Sequence, residues 1–95
     1  MNVCIVEDML SAIRLSEAGI APICLLGTSL SQTQFNKLAK LKPNKIYIWL
    51  DMDAMNKAVK LQARLSSICS QVYVIRSKEE PKELTDNEIR SRFDD

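Results

Sequence analysis

Three acidic residues and three basic ones stand where apolar runs end and a helix begins. Glu7 directly follows Val3-Cys4-Ile5-Val6, and Asp51 and Asp53 follow the run Ile46 to Leu50. Carboxylates gathered at one point repel each other, and a hard divalent cation relieves that repulsion. Mg²⁺ takes oxygen ligands and keeps several waters, so a few carboxylates suffice. Bound there, the ion bridges phosphate oxygens and offsets charge in phosphoryl transfer. Asp51 and Asp53 are two apart, so extended backbone points both to one side and turns Met52 the other way, into apolar packing. The competing structural role is capping of the next helix by Asp51 or Asp53, which leaves Glu7 unexplained. Lys57, Lys60 and Arg64 follow at helical spacing. That stripe suits a phosphate backbone, or equally a solvated helix face. Tyr47 and Trp49 alternate with Ile46, Ile48 and Leu50, and are expected to pack under a helix rather than stack on bases.

Positioning these groups requires a fold, and composition bounds it. The chain has 95 residues, 46% apolar and 26% charged, which fits one globular domain over residues 1–93, with an acidic end at Asp94-Asp95 expected to fray. It has no histidine, which removes Ser-His and Cys-His nucleophile pairs and His-based zinc sites. Its two glycines, Gly19 and Gly27, are too few for a P-loop or a G-x-G-x-x-G fingerprint. Cys4, Cys24 and Cys69 have no C-x-x-C spacing and are expected to be reduced core residues in a cytoplasmic protein. Met1 leads straight into a strand pattern, so neither a leader nor a membrane span is expected. The formal charge of +1 is uneven: residues 33–64 carry +5, and the flanking segments carry −2 each. The basic middle thus surrounds Asp51 and Asp53.

Strand and helix periods alternate. Val3 to Val6 reads as a strand covered on both faces. Leu10, Ile13 and Glu17, flanked by Ala12, have helical spacing that ends at Gly19. Ala21 to Leu26 is a second strand, with Pro22 marking an edge, and Gly27-Thr28-Ser29 a turn. Ser31 and Gln34 form a capping box for a helix with Phe35, Leu38 and Ala39 inward, broken at Pro43-Asn44. Lys45 to Leu50 is a third strand. Ala54, Ala58, Leu61, Leu65 and Ile68, with Met55 and Val59 alongside, form a third helix. Val72 to Ile75 is a fourth strand, and Thr85 with Glu88 opens a last helix carrying Ile89 and Phe93. This order predicts an α/β fold: a four-stranded, mainly parallel sheet in the order 2-1-3-4, with helices on both faces. Ligands of such sheets bind beyond the carboxyl ends of the strands at the switch point, here strands one and three. Glu7, Asp51 and Asp53 follow those two strands.

Five segments occur in order: Val3-Cys4-Ile5-Val6-Glu7, Leu25-Leu26-Gly27-Thr28, Ile48-Trp49-Leu50-Asp51-Met52-Asp53, Asp53-Ala54-Met55-Asn56-Lys57-Ala58, and Glu80-Pro81-Lys82-Glu83. Together they resemble the Toprim domain shared by DNA primases, topoisomerases and related nucleases. The likeness is closest to the Toprim segments of phage and bacterial primases and primase-helicases, and it spans nearly the whole chain. The resemblance implies a Rossmann-like Toprim fold and a Mg²⁺ or Mn²⁺ site. It implies that Glu7, Asp51 and Asp53 serve metal binding and catalysis, with Glu7 placing the metal or acting as general base. Lys57 matches a basic position, and Glu80 stands where primases often carry an aspartate, with a second-metal role. Many members read E-G-x-x-D where this chain reads Glu7-Asp8-Met9-Leu10-Ser11. Asp8 thus replaces the glycine, and Ser11 replaces the aspartate as a weaker ligand acting through water. Met55-Asn56 replaces the usual small glycine after Ala54.

The function implied is nucleotidyl transfer: RNA primer synthesis in DNA replication, on a single-stranded DNA template with nucleotides. Lys57, Lys60 and Arg64 would meet phosphates there. Related primases also carry a zinc ribbon and a basic subdomain, which implies a partner primase core, zinc-ribbon protein or helicase. The setting implied is the cytoplasm of a bacterium or phage-infected cell. Two alternatives stand beside it. One is a non-catalytic Toprim-derived interaction module in a replication complex. The other is a receiver-like phosphoacceptor domain, with Val6-Glu7-Asp8 as its acidic pair and Asp51 as the phosphorylated residue. Receivers need five strands in about 120 residues, and that reading leaves Asp53 and the basic helix unexplained.

Overall fold

Apolar side chains leave each central strand in both directions, so the sheet needs cover on both faces. In the computed structural model, which describes residues 1–25 and 29–93, helices supply it. The strands are β1 (Asn2–Val6), β2 (Ala21–Cys24), β3 (Lys45–Ile48) and β4 (Val72–Val74). They form one sheet in the order β2-β1-β3-β4, and every pair is parallel. The expected α/β architecture and strand order hold, with parallel pairing throughout. Pro22 lies on the edge strand β2, where its missing N–H costs no ladder bond.

Val3, Ile5, Ile46, Ile48 and Leu50 point to one face, under α2 (Gln32–Leu41) and α3 (Met55–Leu65). There they meet Leu38, Ala58, Leu61 and Leu65. Cys4, Val6, Tyr47 and Trp49 point to the other, under α1 (Met9–Glu17) and α4 (Asp86–Ser91), against Ala12, Leu15 and Ile89. Each fully buried large aliphatic side chain is worth roughly 1.5–3 kcal/mol. Tyr47 and Trp49 are buried, as expected of packing residues. Cys4 and Cys69 are buried and Cys24 half-buried, all three as free thiols. Burial pushes the Cys4 thiol far up.

Local signals set most boundaries. Gly19, at a φ of 88°, follows the end of α1 in the left-handed region, where no Cβ penalty applies. The capping boxes Ser31–Gln34 and Thr85–Glu88 open α2 and α4. Leu10 and Ile13 do not reach the core but lie 65% and 50% exposed; α1 instead buries Ser11, Ala12 and Leu15. Small residues let this helix approach the sheet closely and fix its rotation. Val59 likewise faces solvent while Ala58, Leu61 and Leu65 are buried. Leu26-Gly27-Thr28, the center of the turn and of one Toprim-like segment, lies outside the described residues, as does Asp94-Asp95. Among the described residues no helix is long and apolar enough to cross a membrane.

Candidate functional site

β1 and β3 are neighbours in register, with Ile5 opposite Ile48. The Trp49 N–H donates to the Ile5 carbonyl at 2.9 Å, so the chains stay paired past the end of β3. This brings Glu7 to the start of the Asp51 segment. The Asp51 backbone N–H donates to Oε1 of Glu7 at 3.1 Å. Lys57 Nζ, on the first turn of α3, donates to Oε2 at 3.2 Å. Glu7 therefore reaches the rim that its strand position predicts, and Lys57 lies against it rather than apart from the acids.

Asp51 and Asp53 do not continue the strand. Met52–Ala54 form a 3-10 turn, and Met52 is 46% exposed instead of packed. The extended geometry expected of Asp51-Met52-Asp53 is thus absent, because the chain must turn from β3 into α3 within these residues. The capping role is not taken either: the Asp51 side chain makes no capping hydrogen bond, and Ala54 occupies the N-cap of α3. Asp51 and Asp53 instead line one cleft of about 350 Å³ with Ser77, Glu79, Glu80 and Glu83.

Glu80 comes from the segment after β4. The Trp49 indole N–H donates to the Glu79 carbonyl at 3.1 Å, and the Ser77 hydroxyl donates to the same carbonyl at 3.1 Å. These bonds pin the segment over β3 and set Glu80 against Asp51. The resulting carboxyl–carboxyl hydrogen bond pushes the Asp51 pKa up to about 6, aided by partial desolvation and by the charges of Glu80, Glu7 and Asp53. Lys82 Nζ lies 3.3 Å from Glu80 and 3.9 Å from Asp8, and these contacts hold its pKa above the usual lysine value. Lys57 and Lys82 thus sit at two places along an acidic rim.

Asp8 and Ser11 have a local task. Oδ1 of Asp8 accepts from the Ser11 N–H at 2.8 Å, and the Ser11 hydroxyl donates to Oδ2 at 3.0 Å. Asp8 is the N-cap of α1, and Ser11 is buried beneath it. The basic residues share a groove of about 230 Å³ with Leu25, Leu30 and Leu61. Lys60 is exposed there. Arg64 donates to the Leu30 carbonyl at 2.8 Å and lies 4.7 Å over the Phe35 ring, so it also ties α3 to α2. Lys82 and Glu83 belong to the Glu80-Pro81-Lys82-Glu83 segment but have no role assigned by spacing, and no local pattern marks Glu79.

The donor set is all hard oxygen, which suits Mg²⁺ or Mn²⁺. Among the described residues no three acidic side chains converge closely enough to hold a metal ion together. The expected meeting of Glu7, Asp51 and Asp53 therefore reaches one rim but not one ligand set: Lys57 holds Glu7, and the 3-10 turn separates Asp53 from the strand line. Mg²⁺ is commonly held by one or two carboxylates plus waters, and Asp51 and Glu80 line the same cleft. Comparison of the chain with family models, curated proteins and solved structures found no significant match.

Proposed function

We propose that this rim is a divalent-cation site in a Toprim-like module for nucleic-acid phosphoryl transfer, the metal-binding part of a DNA primase that works with a partner domain or subunit. The observation that carries the reading is the crowding at Asp51. Its carboxyl lines one cleft with Asp53 and Glu80, Glu7 accepts its backbone N–H, and these neighbours push its pKa up. A hard cation is the ordinary relief for such crowding. Asp51 and Glu80 would hold Mg²⁺ or Mn²⁺, with Asp53 reaching it through water; the bound ion supplies charge neutralisation at phosphate oxygens. Glu7 orients the Asp51 backbone and, once Lys57 swings to a phosphate, is free to accept a proton. Lys60 presents a second cation to single-stranded DNA or a nucleotide.

A non-catalytic docking module is the second reading. The Lys57–Glu7 pair and the Asp8–Ser11 cap favour it, since both occupy groups that the Toprim resemblance assigns to the metal.

Titration with MgCl₂ and MnCl₂, followed by amide NMR, separates the two. The first reading expects Mg²⁺ shifts and Mn²⁺ broadening centered on Asp51, Asp53 and Glu80, lost in Asp51→Asn. No change there at millimolar metal overturns it in favour of the second. Ribonucleotide polymerisation on single-stranded DNA, with and without a zinc-ribbon primase partner, then tests the chemistry. Full activity in Asp51→Ala would sink the site assignment.

A further inference from the structure

A second groove lies beside the acidic cleft, along the edge strand β4. Tyr73 stands opposite Tyr47 in the β3–β4 register. Phe93 packs edge-on against Tyr47, with ring centroids 4.7 Å apart. The aromatic cover stops there: α4 is six residues long, and Tyr73 stays 44% exposed with its ring 5.6 Å from that of Tyr47. Tyr47, Tyr73, Arg76, Ser91 and Arg92 line an open groove of about 270 Å³. Among the described residues Arg76 makes no ion pair, and the nearest carboxylate to Arg92 is Glu79, at 4.0 Å.

An exposed ring backed by a buried one is a rigid platform, so little side-chain freedom is lost when something stacks on it. Arginines lining the same groove as such a ring suit the phosphates next to a stacked base. A duplex hides its base faces, whereas a single strand presents them. We propose that this groove binds single-stranded nucleic acid, with one base stacked on Tyr73 and the flanking phosphates on Arg76 and Arg92. The inference rests on the nucleic-acid half of the function proposed above and not on its cation. It also gives the strand a direction: Arg76 directly precedes Ser77–Glu80, which line the cleft holding Asp51 and Asp53. A strand seated on β4 is thereby led toward the acidic rim.

The test is fluorescence anisotropy of a labelled oligothymidylate with the full chain in EDTA, where no cation site contributes. Tyr73→Ala is expected to weaken binding roughly tenfold, and Tyr73→Phe to leave it unchanged, since stacking needs the ring and not the hydroxyl. Arg76→Ala and Arg92→Ala are each expected to flatten the dependence of log affinity on log salt by about 0.7. Duplex of the same length is expected to be indifferent to Tyr73→Ala. Wild-type affinity in Tyr73→Ala, equal losses in Tyr73→Phe and Tyr73→Ala, or an equal loss for duplex would overturn the proposal, as would no binding by the wild-type chain. Because the measurement is metal-free, its failure leaves the cation reading to its own titration, and failure of that titration leaves the groove standing.

Discussion

Lys57 Nζ lies 3.2 Å from Oε2 of Glu7, a pair closed across 50 residues between the start of α3 and the end of β1. The lysine neutralises one carboxylate of a mainly acidic rim, and does so at a position where a phosphate could replace that carboxylate as its partner. Both side chains are about one-third exposed, at 30% and 29%, so solvent screens the pair and its stability contribution is at most about 1 kcal/mol.

Lys57→Met should therefore lower thermal stability only slightly. It should tighten Mg²⁺ binding, because a competing positive charge leaves the rim, and weaken nucleotide binding. Metal titration and nucleotide titration on the same variant check the opposite signs. Weaker Mg²⁺ binding in Lys57→Met would show that the lysine orders the site instead of competing with the ion.

In the folded chain the Glu80 carboxyl beside Asp51 pushes its pKa up to about 6, above the ordinary carboxylate range that the unfolded chain restores. Between those values the folded chain holds the extra proton, so stability contributed by this group falls as pH rises from about 4 to about 6. Asp51→Asn should remove that part of the pH dependence and raise the melting temperature at neutral pH in metal-free buffer. Melting curves at pH 4.5 and 7 check both. Glu80→Gln should remove the repulsion as well, returning Asp51 toward the ordinary carboxylate range, as followed by carboxyl NMR. An unchanged pH profile in Asp51→Asn would mean that this carboxyl is not the crowded one.

Asp8→Ala should cost about 1–2 kcal/mol, the loss of an N-cap made worse by the buried Ser11 hydroxyl that it leaves unpartnered. Ser11→Ala should cost less, since it removes the donor and leaves the partly exposed carboxylate to water. Neither should change Mg²⁺ affinity. Denaturant melts and metal titration on the pair check this, and a lost Mg²⁺ response in Ser11→Ala would return the hydroxyl to the metal site.

Lys60 and Arg64 share a helix face but should part company. Lys60→Ala should leave stability within about 0.5 kcal/mol of wild type and lower affinity for phosphate-bearing ligands. Arg64→Ala should cost about 1–2 kcal/mol, since it opens the Leu30 carbonyl and uncovers Phe35. Parallel melts and nucleotide titrations distinguish an exposed phosphate contact from an interhelical tie.

Short-range signals were enough for the frame of this protein. Gly19 had to end a helix because its left-handed conformation tolerates few other residues, and Ser31–Gln34 and Thr85–Glu88 each complete a cap within one helical turn. The apolar runs around Cys4 and Tyr47 had to be strands covered on both sides, and the strand–helix alternation with right-handed crossovers then yields the order 2-1-3-4. The position of Glu7 and Asp51 at one rim follows from that order. Tertiary structure alone decided the rest. Whether Leu10 or Leu15 is buried depends on how α1 is rotated against the sheet. The departure of Asp53 from the strand line depends on how tightly the chain must turn to seat α3. The pairing of Glu7 with Lys57, and of Asp51 with Glu80, depends on side chains reaching across elements far apart in the chain. Periodicity records which face a residue prefers, but the partner it meets is set by the packing distances between elements, and no local pattern encodes those.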